Sequence, residues 1–351
     1  MGHYLVKRLL LMIPTLVGIL AITFAVIQFV PGGPVEQMVQ TLTRSGVAGE
    51  TVAVDTRSLL KGQSGLSPEE LGQLKALYGF DKPPLTRFAD MLGNFARFKL
   101  GESFFHHQSV GVLILDKLPV SMSLGLWTFF LTYLICIPLG VAKAVRDGSR
   151  FDLATSTFIL VGYAIPGFVL GVVLLVLFGG GSFWQLFPLR GLTSDNWAEL
   201  GLVDKVLDYL WHIALPVTAS TVGNLAVMTL LTKNVFLEEI RRQYVYTARA
   251  KGLSESAILY RHVFRNALIP LITGFPAAFI GAFFTGSLLI ETLFSLDGLG
   301  LLSYESVIRR DYPVVMGSLY VFTLMGLVTK LLSDLSYLWV DPRVSFEEGG
   351  Q

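Results

Sequence analysis

Tyr246-Thr-Ala-Arg-Ala-Lys-Gly-Leu-Ser254, running on through Arg261-His-Val-Phe-Arg-Asn-Ala-Leu-Ile-Pro270, is a basic, amphipathic stretch between two long apolar segments. A segment of this polarity between such runs must be held at a membrane surface. Its composition predicts a helix broken once, at Gly252, with only the adjoining membrane helices of its own chain to pack on. Ala248, Ala250 and Gly252 are small and leave room for another surface to approach. The stretch therefore reads as a docking element for a separate protein on the cytoplasmic side.

The composition agrees with that placement. Of 351 residues, 52% are hydrophobic and only 15% charged, where a soluble chain carries roughly a quarter charged residues. The mean hydropathy is +0.60. The chain reads as an all-α integral membrane protein. Its net charge of +1 argues against nucleic acid as a partner. A single cysteine, Cys136, lies inside an apolar run, so no disulfide framework exists.

A helix needs about 20 apolar residues to cross a bilayer. Six runs meet that length, at 9–30, 119–142, 153–179, 209–232, 267–290 and 313–332. The first follows Lys7 and Arg8 but is too long for a signal segment and lacks a small-residue cleavage site, so it reads as a retained helix. Short cytoplasmic loops are enriched in Lys and Arg. Lys143, Arg146 and Arg150 follow the second run, and seven basic residues from Lys233 to Arg265 follow the fourth. Both termini are therefore expected in the cytoplasm, with 31–118 a large outer loop and 233–266 a cytoplasmic one. Residues 1–351 form one transmembrane domain in this reading.

Within the outer loop, 41–65 is polar and reads as irregular. Ser67 and Pro68 suit the cap and first position of a short helix. Residues 85–98 place Phe88, Met91, Leu92 and Phe95 at helical spacing. Two placements fit that pattern equally: a helix lying in the membrane interface, or one packed in a small outer subdomain.

The sequence holds no Gly-x-x-x-x-Gly-Lys-Ser/Thr phosphate loop and no paired-Cys or His-Glu-x-x-His metal motif. Adjacent His106 and His107 point apart on most backbones and read as solvated. An intramembrane serine protease would need a base facing a serine, and His212 sits toward the outer end of its helix. The first five runs contain no Asp, Glu, Lys or Arg, while Lys330 and Asp334 stand one turn apart late in the sixth and read as an interfacial pair. Intramembrane charge usually marks an ion pathway, so a proton- or sodium-coupled carrier is disfavoured and the energy source is expected outside this chain. Tyr163-Ala-Ile-Pro166-Gly167 should kink the third helix. Small and polar residues in the fourth and fifth runs serve close helix packing. The same types would line a peptide-sized path, for which Tyr163, Ser220, Asn224, Thr285 and Ser287 are the candidates.

Tyr246-Thr-Ala-Arg-Ala-Lys-Gly-Leu, followed by Arg265-Asn-Ala-Leu-Ile-Pro, resembles the coupling-loop signature of binding-protein-dependent ABC importer permeases, in its dipeptide/oligopeptide form. Tyr246 stands where that signature has Glu, and Thr247 and Ala248 stand in its two Ala positions. Gly252 is retained, while the usual proline near Arg265 is missing. Tyr4-Leu-Val-Lys-Arg-Leu-Leu10, Pro31-Gly-Gly-Pro34, Tyr78-Gly-Phe-Asp-Lys-Pro83, Glu291-Thr-Leu-Phe-Ser-Leu-Asp-Gly-Leu-Gly300, Arg310-Asp-Tyr-Pro313 and Asp341-Pro-Arg343 extend the likeness over nearly the whole chain. The segment 41–65, Gly148-Ser-Arg-Phe-Asp152 and Phe187-Pro-Leu-Arg-Gly-Leu192 are similar to the Yej-type permeases, a group linked to oligopeptide and microcin C uptake.

The resemblance implies a type I importer permease fold of six transmembrane helices, with a large periplasmic loop between helices 1 and 2. It implies a bacterial inner-membrane location, a second permease as heterodimer partner and a periplasmic binding protein that delivers peptide. It further implies two ATPase domains or subunits that bind ATP and Mg, with no cofactor in this chain and no enzymatic activity of its own. The coupling residues would be Tyr246, Thr247, Ala248, Arg249, Ala250, Lys251, Gly252 and Leu253. The other reading is a self-contained six-helix channel or secondary carrier.

The charge asymmetry yields a topology test. In a background with Cys136 replaced, Arg190→Cys and Gln63→Cys should react with an impermeant thiol reagent in right-side-out vesicles. Arg249→Cys and Arg146→Cys should react only after permeabilisation. Labelling at position 249 in sealed vesicles would overturn the orientation.

Overall fold

The computed structural model describes residues 2–29, 82–179, 183–284 and 287–340. The expected segment 41–65, the short helix near Ser67, the 31–34 and 341–343 motifs and Thr285 lie outside those residues. Among the described residues the regular structure is helical. In chain order the helices are α1 Gly2–Phe29, α2 Pro84–Phe95, α3 Val110–Val145, α4 Arg150–Ala164, α5 Gly167–Phe178 and α6 Leu202–Ile240. Then follow α7 Gln243–Ala250, α8 Glu255–Ala267, α9 Ile269–Phe284, α10 Leu288–Leu293, α11 Leu299–Ile308 and α12 Tyr312–Val340.

Four of these, α1, α3, α6 and α12, are long and apolar enough to cross a membrane alone. The pairs α4–α5 and α8–α9 do so together, bent by 92° and 51°. Four of the expected spans are single helices, and the count reaches six when each bent pair is taken as one span. The break between α4 and α5 is sharper than the expected kink. Pro166 has no N–H to give the helix and disfavours helical backbone in the residue before it. Ile165 accordingly adopts φ −90°, ψ 117°, and α5 starts afresh at Gly167. The second break falls at Leu268, just before Pro270, so the run 267–290 is not one helix. Large apolar side chains stay exposed along the spans, among them Leu10, Ile22, Leu134 and Phe158. In hydrocarbon such side chains are at no disadvantage, and the helix satisfies its own backbone.

By contacts the described chain divides into two compact units. The first, 1–116 with 303–324, holds α1, α2 and the start of α12. Helix α2 packs on α1 and α12. Phe88 meets Phe24 of α1 at 5.2 Å between ring centroids, and buried Phe95 meets Tyr320 at 5.1 Å. Buried Asp311 accepts hydrogen bonds from the Ser103 hydroxyl and the Phe104 N–H, which fixes the loop before α3. His106 and His107 lie exposed on that loop.

The second unit, 117–302 with 325–351, contains most of α3 and all of α4–α10. Along it α6 packs against both α4 and α5. Buried Glu291 closes the corner between α10 and α11. It accepts from the Ser121 hydroxyl at 2.8 Å and the Leu301 N–H at 3.0 Å, while Ser121 accepts from the Leu299 N–H at 2.8 Å. Orphan N–H groups at a helix start need such acceptors. A side chain at Gly298 would occupy the carboxylate's place. That geometry accounts for the Glu291–Gly300 motif.

Glycines mark the closest helix approaches. At Gly140 of α3 a Cβ would lie 2.6 Å from Thr232 Cβ and 2.9 Å from the Thr229 carbonyl on α6, whereas at Gly274 of α9 it would meet nothing. Gly140→Ala should destabilise the subunit by about 1–3 kcal/mol through overpacking. Gly274→Ala should be neutral or slightly stabilising, since it removes a glycine from a helix interior. Thermal unfolding of the two variants in detergent checks the contrast.

Candidate functional site

Residues 241–271 form the expected surface element. Val245 and Ala248 lie one turn apart on α7, both buried. They enter one apolar cluster with Val141 and Ala144 of α3, Phe236 of α6, Val263 of α8 and Leu271 of α9. The end of α6 is tied to the start of α7 through Arg242, which pairs with Glu238 at 2.7 Å, and through the Tyr244 hydroxyl, 2.7 Å from Glu239. Burial, with the Glu239 carboxylate beside it, pushes the Tyr244 phenol up.

The helix ends in a left-handed glycine cap. Gly252 has φ +78°; its N–H bonds the Arg249 carbonyl at 3.0 Å, and the Leu253 N–H bonds the Ala248 carbonyl at 3.3 Å. This is a Schellman closure, in which the residue after glycine packs back on the helix; Leu253 does so, against the same cluster. Ser254 then caps α8, its hydroxyl accepting from the Ala257 N–H. Further along, Leu259–Val263 takes a π turn.

The eight residues expected to couple therefore divide. Tyr246, Thr247, Arg249, Ala250 and Lys251 face outward. Arg249 forks onto Glu255 at 2.5 and 2.9 Å, with its guanidinium 5.9 Å from the Tyr246 ring centre. The Arg249 hydrogen bond holds the Glu255 carboxyl below its usual range, and Glu255 in turn raises Arg249. Ala248 corrects the sequence reading: it is small because its own chain packs on it, not to admit another surface. Gly252 is exposed and has open space, yet its backbone angle is what requires glycine. Of the three small residues, Ala250 and Gly252 are exposed and Ala248 is buried.

A cavity of about 940 Å³ lies elsewhere in the same unit, lined from α3, α5, α6, α9 and the start of α10. Ser220, Asn224 and Ser287 of the candidate path line it. Tyr163 does not; it lies exposed on α4 before the Pro166 break. The Ser220 hydroxyl bonds the Pro216 carbonyl at 2.9 Å and the Asn224 amide N–H bonds the Ser220 carbonyl at 3.1 Å, so α6 absorbs these donors. Thr128, Thr132 and Tyr133 of α3 also line the cavity and went unnoticed in the sequence. The signal existed: polar residues recur at one-turn spacing within an otherwise apolar run, as in α6. A second omission is a charge cluster joining Lys143, Asp152 and Lys233. The sequence counted its two lysines as loop charges, and no local pattern brings the carboxylate to both.

Comparison with known proteins matches residues 136–346 to a family described as binding-protein-dependent transport system inner membrane component. The peptidoglycan transport system permease protein YejB of Agrobacterium fabrum is 56% identical over 360 residues, covering 99% of each chain. The inner membrane ABC transporter permease protein YejB of Escherichia coli O157:H7 is 52% identical, over 99% of this chain and 100% of that protein. The oligopeptide transport system permease protein AppB of Bacillus subtilis is 30% identical, over 99% and 100%. On these matches this chain belongs to the family of binding-protein-dependent transport system inner membrane components, as a multi-pass permease subunit.

Proposed function

We propose that this subunit forms, with a second permease, the path for short peptides in an ATP-driven importer of the bacterial inner membrane. Two ATPase subunits would bind ATP and Mg and grip the outward face of α7. A periplasmic binding protein would deliver peptide to the opposite side, with both termini of this chain in the cytoplasm. The identity to permeases named for peptidoglycan and oligopeptide transport supports the substrate class.

The observation that carries the mechanism is the two-sidedness of α7. Its inner face is locked by Val245 and Ala248 to three spans, and its outer face presents Tyr246, Arg249, Ala250 and Lys251. A partner that binds the outer face can therefore move the spans without first ordering the helix. A self-contained channel or carrier gives such a surface nothing to do.

Added bulk on the outer face should block docking. Ala250→Trp and Lys251→Glu should insert normally, fail to retain ATPase subunits during purification, and lose peptide uptake and substrate-stimulated ATP hydrolysis together. Peptide affinity of the binding protein should not change. Ala248→Trp should fail differently, by overpacking the cluster beneath α7 and lowering the amount of folded subunit. Undiminished peptide uptake by Ala250→Trp, with the protein inserted in normal amount, would overturn the coupling role of this face.

A further inference from the structure

Beside the apolar socket of α7 lies the charged cluster that the sequence did not reveal. Lys143, near the end of α3, is fully buried. Its ammonium donates to the Asp152 carbonyl at 2.8 Å, the Thr155 hydroxyl at 2.8 Å and the Ser156 hydroxyl at 2.7 Å, and lies 2.9 Å from the Asp152 carboxylate. Lys233 of α6 reaches the other oxygen of Asp152 at 2.6 Å. Lys233 also lies 2.9 Å from Asp147, which Arg241 approaches at 3.4 Å. Asp152 is itself held in place: its Oδ2 accepts the Gly148 N–H at 3.1 Å, and its own N–H bonds the Ser149 hydroxyl at 3.2 Å.

One carboxylate thus joins three spans. It sits in the first turn of α4 and binds a cation from α3 and a cation from α6. Removing a partner from a buried pair leaves an uncompensated charge, which is strongly unfavourable. The three helix ends consequently have little freedom to move apart. These are the ends that carry the docking helix. Val141 and Ala144 flank Lys143, Phe236 follows Lys233 by three residues, and all three contact the cluster that buries Val245 and Ala248. From Asp152 the chain continues along α4 to the Pro166 elbow and into α5, whose Gly167 and Phe168 line the cavity.

We infer that Asp152, with Lys143 and Lys233, is a positioning centre for coupling: it makes the ends of α3, α4 and α6 one block, so that displacement of α7 reaches the cavity wall instead of being spent in local sliding. Hydrogen-bond and salt-bridge networks of this kind are one route by which coupling between sites is carried. The inference rests on the importer reading given above.

The test uses the complete transporter, this chain with its partner permease, ATPases and binding protein, reconstituted in vesicles with radiolabelled trialanine. The reading is peptide moved per ATP hydrolysed, which a loss of folded complex alone leaves unchanged. Asp152→Asn strands Lys143 and is the severe variant. Lys233→Met leaves the Lys143–Asp152 pair intact and is the mild one, which decides the matter if Asp152→Asn does not assemble. Each assembled variant should continue to hydrolyse ATP and move about fivefold less peptide per ATP, the lower end of ordinary inter-site coupling. A ratio in Lys233→Met equal to that of the unaltered transporter overturns the positioning role. Absence of ATP-driven trialanine uptake by the unaltered transporter instead overturns the importer reading, and the positioning role with it.

Discussion

Hydrocarbon offers no hydrogen bonds, so every peptide group that enters it must be satisfied by its own segment. The constraint makes the spans helical and confines irregular backbone to places where protein covers it. The two exceptions here are informative. Between α4 and α5 the elbow at Ile165 and Pro166 adjoins α6, where a Cβ on Gly167 would lie only 3.0 Å from the Ala219 carbonyl oxygen. Between α8 and α9 the bend at Leu268 falls next to buried Ala267 and Leu271, against the apolar cluster. The second break is shielded by neighbouring helices, whereas Ile165 and Pro166 of the first stay exposed.

The surface element is governed by a different balance. Its charged face is conspicuous in the sequence, yet exposed pairs such as Arg249 with Glu255 contribute little to stability. Fully burying one Val side chain contributes about 1.5–3 kcal/mol, and Val245 is buried against three spans. Apolar anchoring therefore fixes α7, and its charges lie on the exposed face. The Schellman turn at Gly252 completes the arrangement. It ends the helix within one residue and returns Leu253 to the cluster, so the outward face has a defined edge.

Much of this was legible in the sequence because it depends on local patterns. Run lengths gave six spans, Gly252 marked the turn, and Pro166 marked the elbow, although not its 92° angle. The packing of α2 stayed open because Phe88 and Phe95 at helical spacing look the same facing lipid or facing Phe24 and Tyr320. Ala248 was misjudged for a related reason: smallness shows that something comes close, not from which side. Asp152 and Glu291 stood in quoted motifs, but their structural roles were missed because they lie in partners far along the chain, 81 residues away for Lys233 and 170 for Ser121. Proximity of that kind is a product of tertiary packing and leaves no periodic trace.

Glu291 also bears on how the subunit is made. Its acceptor oxygens are matched by a hydroxyl on α3 and an N–H at Leu301. During synthesis Ser121 enters the bilayer long before residue 301 has left the ribosome. Until that moment its hydroxyl has neither the carboxylate nor the Leu299 amide to bond. The corner can therefore close only after residue 301 has been made. A chain truncated before residue 299 would carry an open corner, with a carboxylate lacking the Leu301 N–H that it accepts in the finished subunit.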